Sequence, residues 1–536
     1  MTFGASPSST EVMVLMGRSL PALPLHSTMT IALILCLPVL FTLAYWLLIY
    51  PFFVSPLRHL PGPKDNTWFM GQTLKFLEVA WIPQLFREWS ARWPETPFIR
   101  YLSLFNSETL VVNSLTAYRE ILSTKNSSFV KPEAARRVAN VVIGDGLPFA
   151  EGHEHRHRRA IVSKPFSTSR VKAFVPTLQS KARQLVDVLS SQRDASHITE
   201  VETPIWKTVL DVGGIEALGV DLNHLESDES PLHELFTQTM QQPLWGHVLH
   251  FLSSYLPLRQ LLPLDINKDF VRNTSEIRRI LREHVTKRRA EWESGSWPAG
   301  KEPDALQCMI EQGTTAWSDG EIVEYIMNLM VLGHDTTACA LVMTVYSLAH
   351  NPDCQERLRS EITDLLADSS SPNFEQLDRL PFLDNFLKEV LRVYCPLQYI
   401  PREACQDVQV AGVFLPKGTI VQLSPAMINL NPQIWGPDAE SFRPDRWEKL
   451  EGVAASSAYA FETFHNGTRM CFGRQLAMTE MKSILVELLS RFRVDALDLG
   501  KPLELASPSF TLRPKEKLRV RLTELSSSPV VESEKA

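Results

Sequence analysis

The stretch Phe464-His465-Asn466-Gly467-Thr468-Arg469-Met470-Cys471-Phe472-Gly473 sets a thiol, a fixed cation and two glycines side by side. A cysteine ligates a metal as thiolate, which needs positive surroundings, amide groups aimed at sulfur and exclusion of water. Gly467 and Gly473 permit tight turns close to the sulfur, where a side chain would obstruct a flat cofactor. Arg469 supplies a permanent charge suited to a carboxylate on that cofactor. The run from Arg474 to Lys482 reads as a helix, placing Cys471 near its positive end. The plainer alternative is a buried structural cysteine in a glycine-containing turn.

The pattern Phe-x-x-Gly-x-Arg-x-Cys-x-Gly, met here at every fixed position, resembles the haem-binding signature of the cytochrome P-450 family. The resemblance implies Cys471 as the axial ligand to the iron of haem b, with Phe464, Gly467, Arg469 and Gly473 in the cofactor loop. Upstream, Glu389 and Arg392 lie three apart on one helical face, where an ion pair forms readily. An isolated Glu-x-x-Arg is usually a plain surface pair. Here it precedes Phe442-Arg443-Pro444-Asp445-Arg446-Trp447, similar to the family's second arginine segment, which implies a buried network of Glu389, Arg392 and Arg446. Such a network serves folding and haem retention, since losing one partner strands a buried charge.

Leu329-Met330-Val331-Leu332-Gly333-His334-Asp335-Thr336-Thr337 resembles the oxygen-activating segment of the family's central helix, with Leu332 where the family has a small residue. Glycine and threonines weaken an apolar helix locally, which suggests a functional distortion. By resemblance Asp335 and Thr336 deliver protons. Glu151 to Phe166 resembles the helix that reaches a haem propionate, with Arg159 in the binding place and His155 where tryptophan is usual. Its alternating histidines do not read as a zinc site, because residues two apart on a helix point to different sides. Arg402 resembles a further propionate contact.

A chain of 536 residues with net charge −7 gives no sign of nucleic-acid binding. Seven scattered cysteines do not form a disulfide framework and point to a reducing compartment for the main domain. Sequons at Asn126, Asn273 and Asn466 read as chance matches, the last lying inside the thiolate loop. From Met29 to Val54 no residue is charged, so 29–54 is long enough to span a membrane, with Tyr45, Trp46 and Tyr50 suited to its interface. Arg58, His59 and Lys64 follow, which places the later domain on the cytoplasmic side. The organisation expected is a tail (1–28), an anchor (29–54), a Pro-rich linker (55–66), one catalytic domain (67–523) and a Ser-rich disordered tail (524–536). This layout resembles endoplasmic-reticulum-anchored, single-pass members of the family, and fungal biosynthetic members in particular.

Between the motifs the chain is mainly α with a small β region, in agreement with the P-450 fold. Helical periodicity covers 171–190, 275–293, 321–350, 354–366 and 378–393. Strands are expected at 98–101, 109–112, 408–413 and 419–423, the last two flanking a turn at 415–418. The resemblance implies a monooxygenase that activates O2 with NADPH electrons delivered by a membrane-bound reductase. Arg156, Arg158 and Lys164 would dock that partner, or serve as plain surface charges. Residues 127–150, 327–332, 397–400 and 507–510 would line the pocket of a lipophilic substrate, with Gln398, Tyr399 and Ser509 as polar anchors. The alternatives are a haem-thiolate isomerase or dehydratase needing no external electrons, and a non-enzymatic haem sensor.

Overall fold

Apolar residues at helical spacing build the body of the protein in a computed structural model, which describes residues 37–38, 41–79, 81–227, 231–297, 302–506 and 511–525. The tail 1–28, the first residues of the expected anchor, Ser507–Phe510 with Ser509, and the chain after 525 lie outside the described residues. The helices that matter to the site are α1 (Glu133–Ile143), α2 (Gly152–Val162), α3 (Thr168–Ser191), α4 (Glu202–Leu218), α5 (Pro231–Met240) and α6 (Leu244–Leu252). They are followed by α7 (Asp265–Glu293), α8 (Asp319–His350), α9 (Pro352–Asp368), α10 (Pro381–Val393) and α11 (Arg474–Arg491).

α8 is the axis of the molecule. It opens on a capping box, in which Ser318 and Glu321 each satisfy the other's backbone amide, and it packs against α4 and α7. By length and composition α8 could cross a membrane, yet 78% of its most apolar stretch is buried inside the protein, so it is a core helix. One hydrophobic cluster joins the C-terminal half of α8 to α3, α10 and α11. A second joins its N-terminal half to α4 and α7. The expected helix 378–393 is present as α10 but starts three residues later, at Pro381, after a short helix that ends at Asp378.

Among the described residues the β region holds ten short strands. β1 (Phe98–Leu102), β2 (Glu108–Val112), β3 (Phe129–Val130), β5 (Ile400–Ala404) and β8 (Ile420–Leu423) form one sheet in the order β1-β2-β8-β5-β3. β4 (Ile198–Glu200), β9 (Phe492–Ala496) and β10 (Arg519–Glu524) form another, and β6 (Val408–Val410) pairs β7 (Val413–Leu415). The expected strand 408–413 is broken into β6 and the start of β7 by a hairpin turn at Ala411-Gly412, both at positive φ (46° and 79°), as a two-residue hairpin turn of the primed kind demands. The expected turn ahead of β8 is present, with the Thr419 amide donating to the Pro416 carbonyl at 3.1 Å. β8 leaves that hairpin and pairs in parallel with β2 and antiparallel with β5. Alternation alone cannot choose between these partners, because both present an apolar face.

An apolar helix, Phe41–Val54, precedes this body and is shorter than a full span among the described residues. A mainly helical protein with small sheets is what the sequence pattern led one to expect.

Candidate active site

Cys471 sits in a loop whose ends are tied together: its amide donates to the Phe464 carbonyl at 2.8 Å. Three residues later α11 begins, with Gly473 as its N-cap. Cys471 is solvent-exposed on its loop; desolvation by the surrounding protein pushes the thiol pKa up, while the amides of Gly473 and Arg474 and the guanidinium groups of Arg159 and Arg474 pull it down. These opposing groups are the donors that a thiolate ligand requires. Gly467 is held at φ +75°, and a β-carbon there would lie 2.3 Å from the Leu122 carbonyl oxygen, so only glycine fits. Gly473 is different. Its φ of −81° suits any residue, and a β-carbon would sit at an ordinary 3.8 Å from the sulfur. The tight turn therefore needs glycine at 467 and not at 473. Phe464 packs beneath the Arg474 guanidinium, 5.6 Å away.

Around this loop the fold gathers positive charge. Arg469 pairs with Glu151, the N-cap of α2, and donates to the Ala150 carbonyl at 2.8 Å. Glu151 also accepts the Lys131 amide at 3.0 Å. Arg402 is buried on β5; burial, then the nearby Arg469 charge, lowers its pKa to about 10. Lys131 is pushed well below the usual lysine range, first by burial and then by Arg402 and Arg469. His155 is buried on α2, and burial plus these cations lowers its pKa to about 4, so it is neutral at pH 7. His153 and His157 flank it at exposed positions with rings 6.5 Å apart, and no group of three metal-binding side chains forms among the described residues. Arg159 reaches the cysteine loop, donating to the Met470 carbonyl at 2.6 Å. One carboxylate thus faces Lys131, Arg402 and Arg469, with Arg159 beside them. Partly to fully buried cations in such excess suit a ligand that brings its own carboxylates, as haem does. Lys131 and Glu151 were not picked out as site residues; a lone lysine between a strand and a helix carries no pattern.

Glu389 is buried completely and accepts two bonds from Arg392, each 2.8 Å, and one from Arg446 Nε at 2.9 Å. It also accepts the Trp447 indole N–H at 2.9 Å and the Arg443 amide at 2.7 Å. Arg392 and Arg446 spend their remaining donors on Asn429, Ala439, Ser441 and Asp438. The structure therefore brings Glu389, Arg392 and Arg446 together, and adds Trp447 and Asp438 to them.

Asp335 and Thr336 lie on α8, apart from the cationic group. Thr336 donates its hydroxyl to the Leu332 carbonyl at 2.7 Å, and the segment stays α-helical throughout. A β-carbon on Gly333 would meet nothing within 4 Å, so this face of α8 borders open space that could take a flat group. Asp335 is fully buried, paired with Arg513 and bonded by the Thr511 hydroxyl at 2.7 Å. Neither partner carried a signal, because they lie in an irregular segment far along the chain. Beside them His334 is buried between Trp206 and Phe236, at 5.2 and 5.5 Å, and burial lowers its pKa to about 4.

Two expected pocket residues do other work. Gln398 accepts the Ile82 amide at 3.2 Å, and Tyr399 joins the aromatic cluster at Phe86, 5.9 Å away. Arg158 is likewise not a free surface charge. It pairs with Glu321 at 2.8 Å and stacks over Trp317 at 4.0 Å, while Arg156 and Lys164 stay exposed.

The Cytochrome P450 family model matches residues 61–520. The chain is 30% identical to the cytochrome P450 monooxygenase sphH of Aspergillus fumigatus, over 90% of this chain and 91% of that one. It is 28% identical to the cytochrome P450 monooxygenase FSL4 of Gibberella zeae, over 85% of each. It is 27% identical to the cytochrome P450 monooxygenase FUM15 of Gibberella moniliformis, over 84% of this chain and 85% of that one.

Two outcomes follow. Glu389→Gln removes the carboxylate shared by two buried guanidinium groups and should cost about 3–5 kcal/mol, read from denaturant unfolding; a loss under about 1 kcal/mol would show the network to be dispensable. His334 stays neutral in the fold with a pKa near 4 and titrates near 6.5 when unfolded. The unfolded chain binds the extra proton, so stability should fall as pH drops from 6.5 toward 4, by on the order of 3 kcal/mol from this group. His334→Phe should flatten that part of the pH–stability curve, and an unchanged slope would remove the assignment.

Proposed function

The chain belongs to the cytochrome P450 family of monooxygenases, and from that membership we propose that it oxidises a lipophilic small molecule in a fungal secondary-metabolite route. O2 is the oxidant, and the electrons come from NADPH through a reductase on the same membrane. The observation that carries the reading is the thiol of Cys471, placed at a helix start among amides and guanidinium groups, beside buried cations short of anions. Haem fits that donor set. When bound it would supply the electron-rich thiolate-ligated iron at which O2 is reduced.

The protein's own groups would do the following. Cys471 holds the iron. Arg469, Arg402 and Lys131 meet the propionates, and neutral His155 offers them an N–H. Arg159 anchors the cysteine loop and biases the thiol toward thiolate. Thr336 has committed its hydroxyl hydrogen to Leu332, which leaves its oxygen free to accept a hydrogen bond from a protonated group over the cofactor. Arg513 and Thr511 each donate to one oxygen of Asp335, so the pair with Arg513 favours its ionised form and opposes its taking up a proton to pass on. That same pair favours a second reading, in which Asp335 is structural and the enzyme rearranges an already oxygenated substrate without external electrons.

Membrane attachment is supported by one apolar face. The Leu47 carbonyl in the first helix accepts from Asn106, and Phe105 bonds the Phe69 carbonyl and meets the Tyr255 ring at 5.8 Å. Trp68, more than 70% exposed and packed against Phe69, extends this apolar surface. With the preceding apolar segment, this fits a single-pass anchor in the endoplasmic reticulum, the catalytic domain cytoplasmic. Exposed Arg156 and Lys164 suit an acidic reductase surface.

Reduced protein under carbon monoxide should show the long-wavelength band of a thiolate-ligated haem, and Cys471→Ala should abolish it; a band that survives the substitution would end the reading. Thr336→Ala should keep full haem content but spend at least several NADPH per product formed. Turnover that needs no NADPH would instead select the rearrangement.

A further inference from the structure

A cavity of about 700 Å³ opens between α1, the α6–α7 region and α8; it shares no lining residue with the cysteine loop, and its α1 wall falls within the 127–150 stretch expected to line the substrate pocket. Glu324 on its wall lies about 18 Å along α8 from Thr336, at 1.5 Å per residue. Most of the charges here are matched. Arg278 grips Glu324 at 2.7 and 3.0 Å and spends its other donors on the carbonyls of Asn140 and Val141. Asp145 is held by Arg136 at 2.9 and 2.8 Å.

Arg259 is the exception. It is 5% exposed, and desolvation is the one influence on its charge, which no described carboxylate offsets. Its Nη2 donates to the Gly246 carbonyl, its contacts to Gln242 Oε1 are long at 3.4 and 3.5 Å, and its Nε has no acceptor. The guanidinium stacks 3.9 Å over Phe270, whose other neighbour His250 burial keeps neutral. Exposed Arg137, also on the cavity wall, makes only long 3.4 Å contacts to the Ser254 and Tyr255 carbonyls. A buried cation without a counter-charge, with an N–H left unbonded, is costly unless something else completes it.

We propose that this cavity is a second small-molecule site, taking an organic carboxylate with an apolar body. Arg259 and Arg137 would meet the charge, while Val141, Phe270 and Val271 cover the body. The Arg259 Nε is sealed in the wall, so binding involves a small rotation that exchanges the long Gln242 contacts for the carboxylate. A phosphate monoester fits poorly, because its second charge would find apolar wall and the carboxylates of Asp145 and Glu324. The inference stands on this cavity alone and does not depend on the reaction assigned to Cys471.

The test uses full-length, haem-loaded protein and labelled decanoate in equilibrium dialysis, with 1-decanol as the uncharged match. Decanoate should bind at least tenfold more tightly than decanol, without altering the haem absorption spectrum. Arg259→Gln should erase that preference while keeping haem content, and Arg137→Gln should weaken decanoate about threefold. If Arg259→Gln fails to fold, Arg259→Lys, which keeps the charge and loses the planar fork, should weaken decanoate and leave decanol unchanged. Equal affinity for acid and alcohol, unchanged binding in the variants, or a haem spectral shift that tracks occupancy would overturn the proposal, the last placing decanoate in the reaction pocket.

Discussion

The cysteine loop depends on a carboxylate far from any reacting atom. Glu389 gives up both oxygens to five donors: Arg392 twice, Arg446, Trp447 and the Arg443 amide. Burying that much charge is favourable only if each partner is held in place. Arg392 extends the hold by donating to the Asn429 carbonyl at 2.9 Å. Asn429 in turn accepts the Glu462 amide at 2.9 Å and donates to Thr463 Oγ1 at 2.7 Å, and Thr463 bonds back to Leu391 on α10. Phe464, which receives the Cys471 amide, is the next residue. An unbroken series of hydrogen bonds therefore runs from Glu389 to the loop that presents the thiol.

The second constraint is electrostatic and opposite in sign. The Glu389 network is saturated, whereas the cluster of Lys131, Arg402 and Arg469 holds more charge than Glu151 can balance. Stability and function part company here. A protein selected only for packing would replace such cations with apolar residues. Their desolvated state, visible in the depressed pKa values of Arg402 and Lys131, makes sense when a dianionic cofactor completes the core. Cofactor uptake and the last stage of folding would then be one event, with Glu389 preparing the frame and the propionates closing it.

What could be read from the sequence was whatever is local. The thiolate loop, the Glu-x-x-Arg pair and α8 are each encoded in a few neighbouring residues, and their spacing fixes their geometry. Residues whose meaning comes from a distant partner stayed hidden. Arg513 gains its role from Asp335, 178 positions away, and Glu151 from Arg469, 318 positions away. The partners of Gln398 and Tyr399, the Ile82 amide and the Phe86 ring, stayed hidden for the same reason. The β6–β7 hairpin failed differently. Ala at a left-handed turn position hides the turn, while Pro416-Lys417-Gly418 advertises one that belongs to a connection between sheets.

The pairing of Asp335 with Arg513 shows how one helix can serve both fold and chemistry. Thr511 and Arg513 lie in a segment with few regular hydrogen bonds, and Asp335 is their attachment to α8. Arg513 also stacks over Trp206 at 3.9 Å, so the guanidinium ties α8, α4 and the C-terminal segment at one point. A carboxylate so placed has a structural task whatever else it does, because its pair with Arg513 joins three elements. Thr336, one residue on, bears no such tie beyond its own helical turn. The two neighbours are thus held differently: the acid is tied to the C-terminal segment, and the alcohol only to its own helical turn. That asymmetry makes Thr336 the more informative position to alter, since Asp335→Asn would strand Arg513 and mix a loss of folding with any loss of proton transfer.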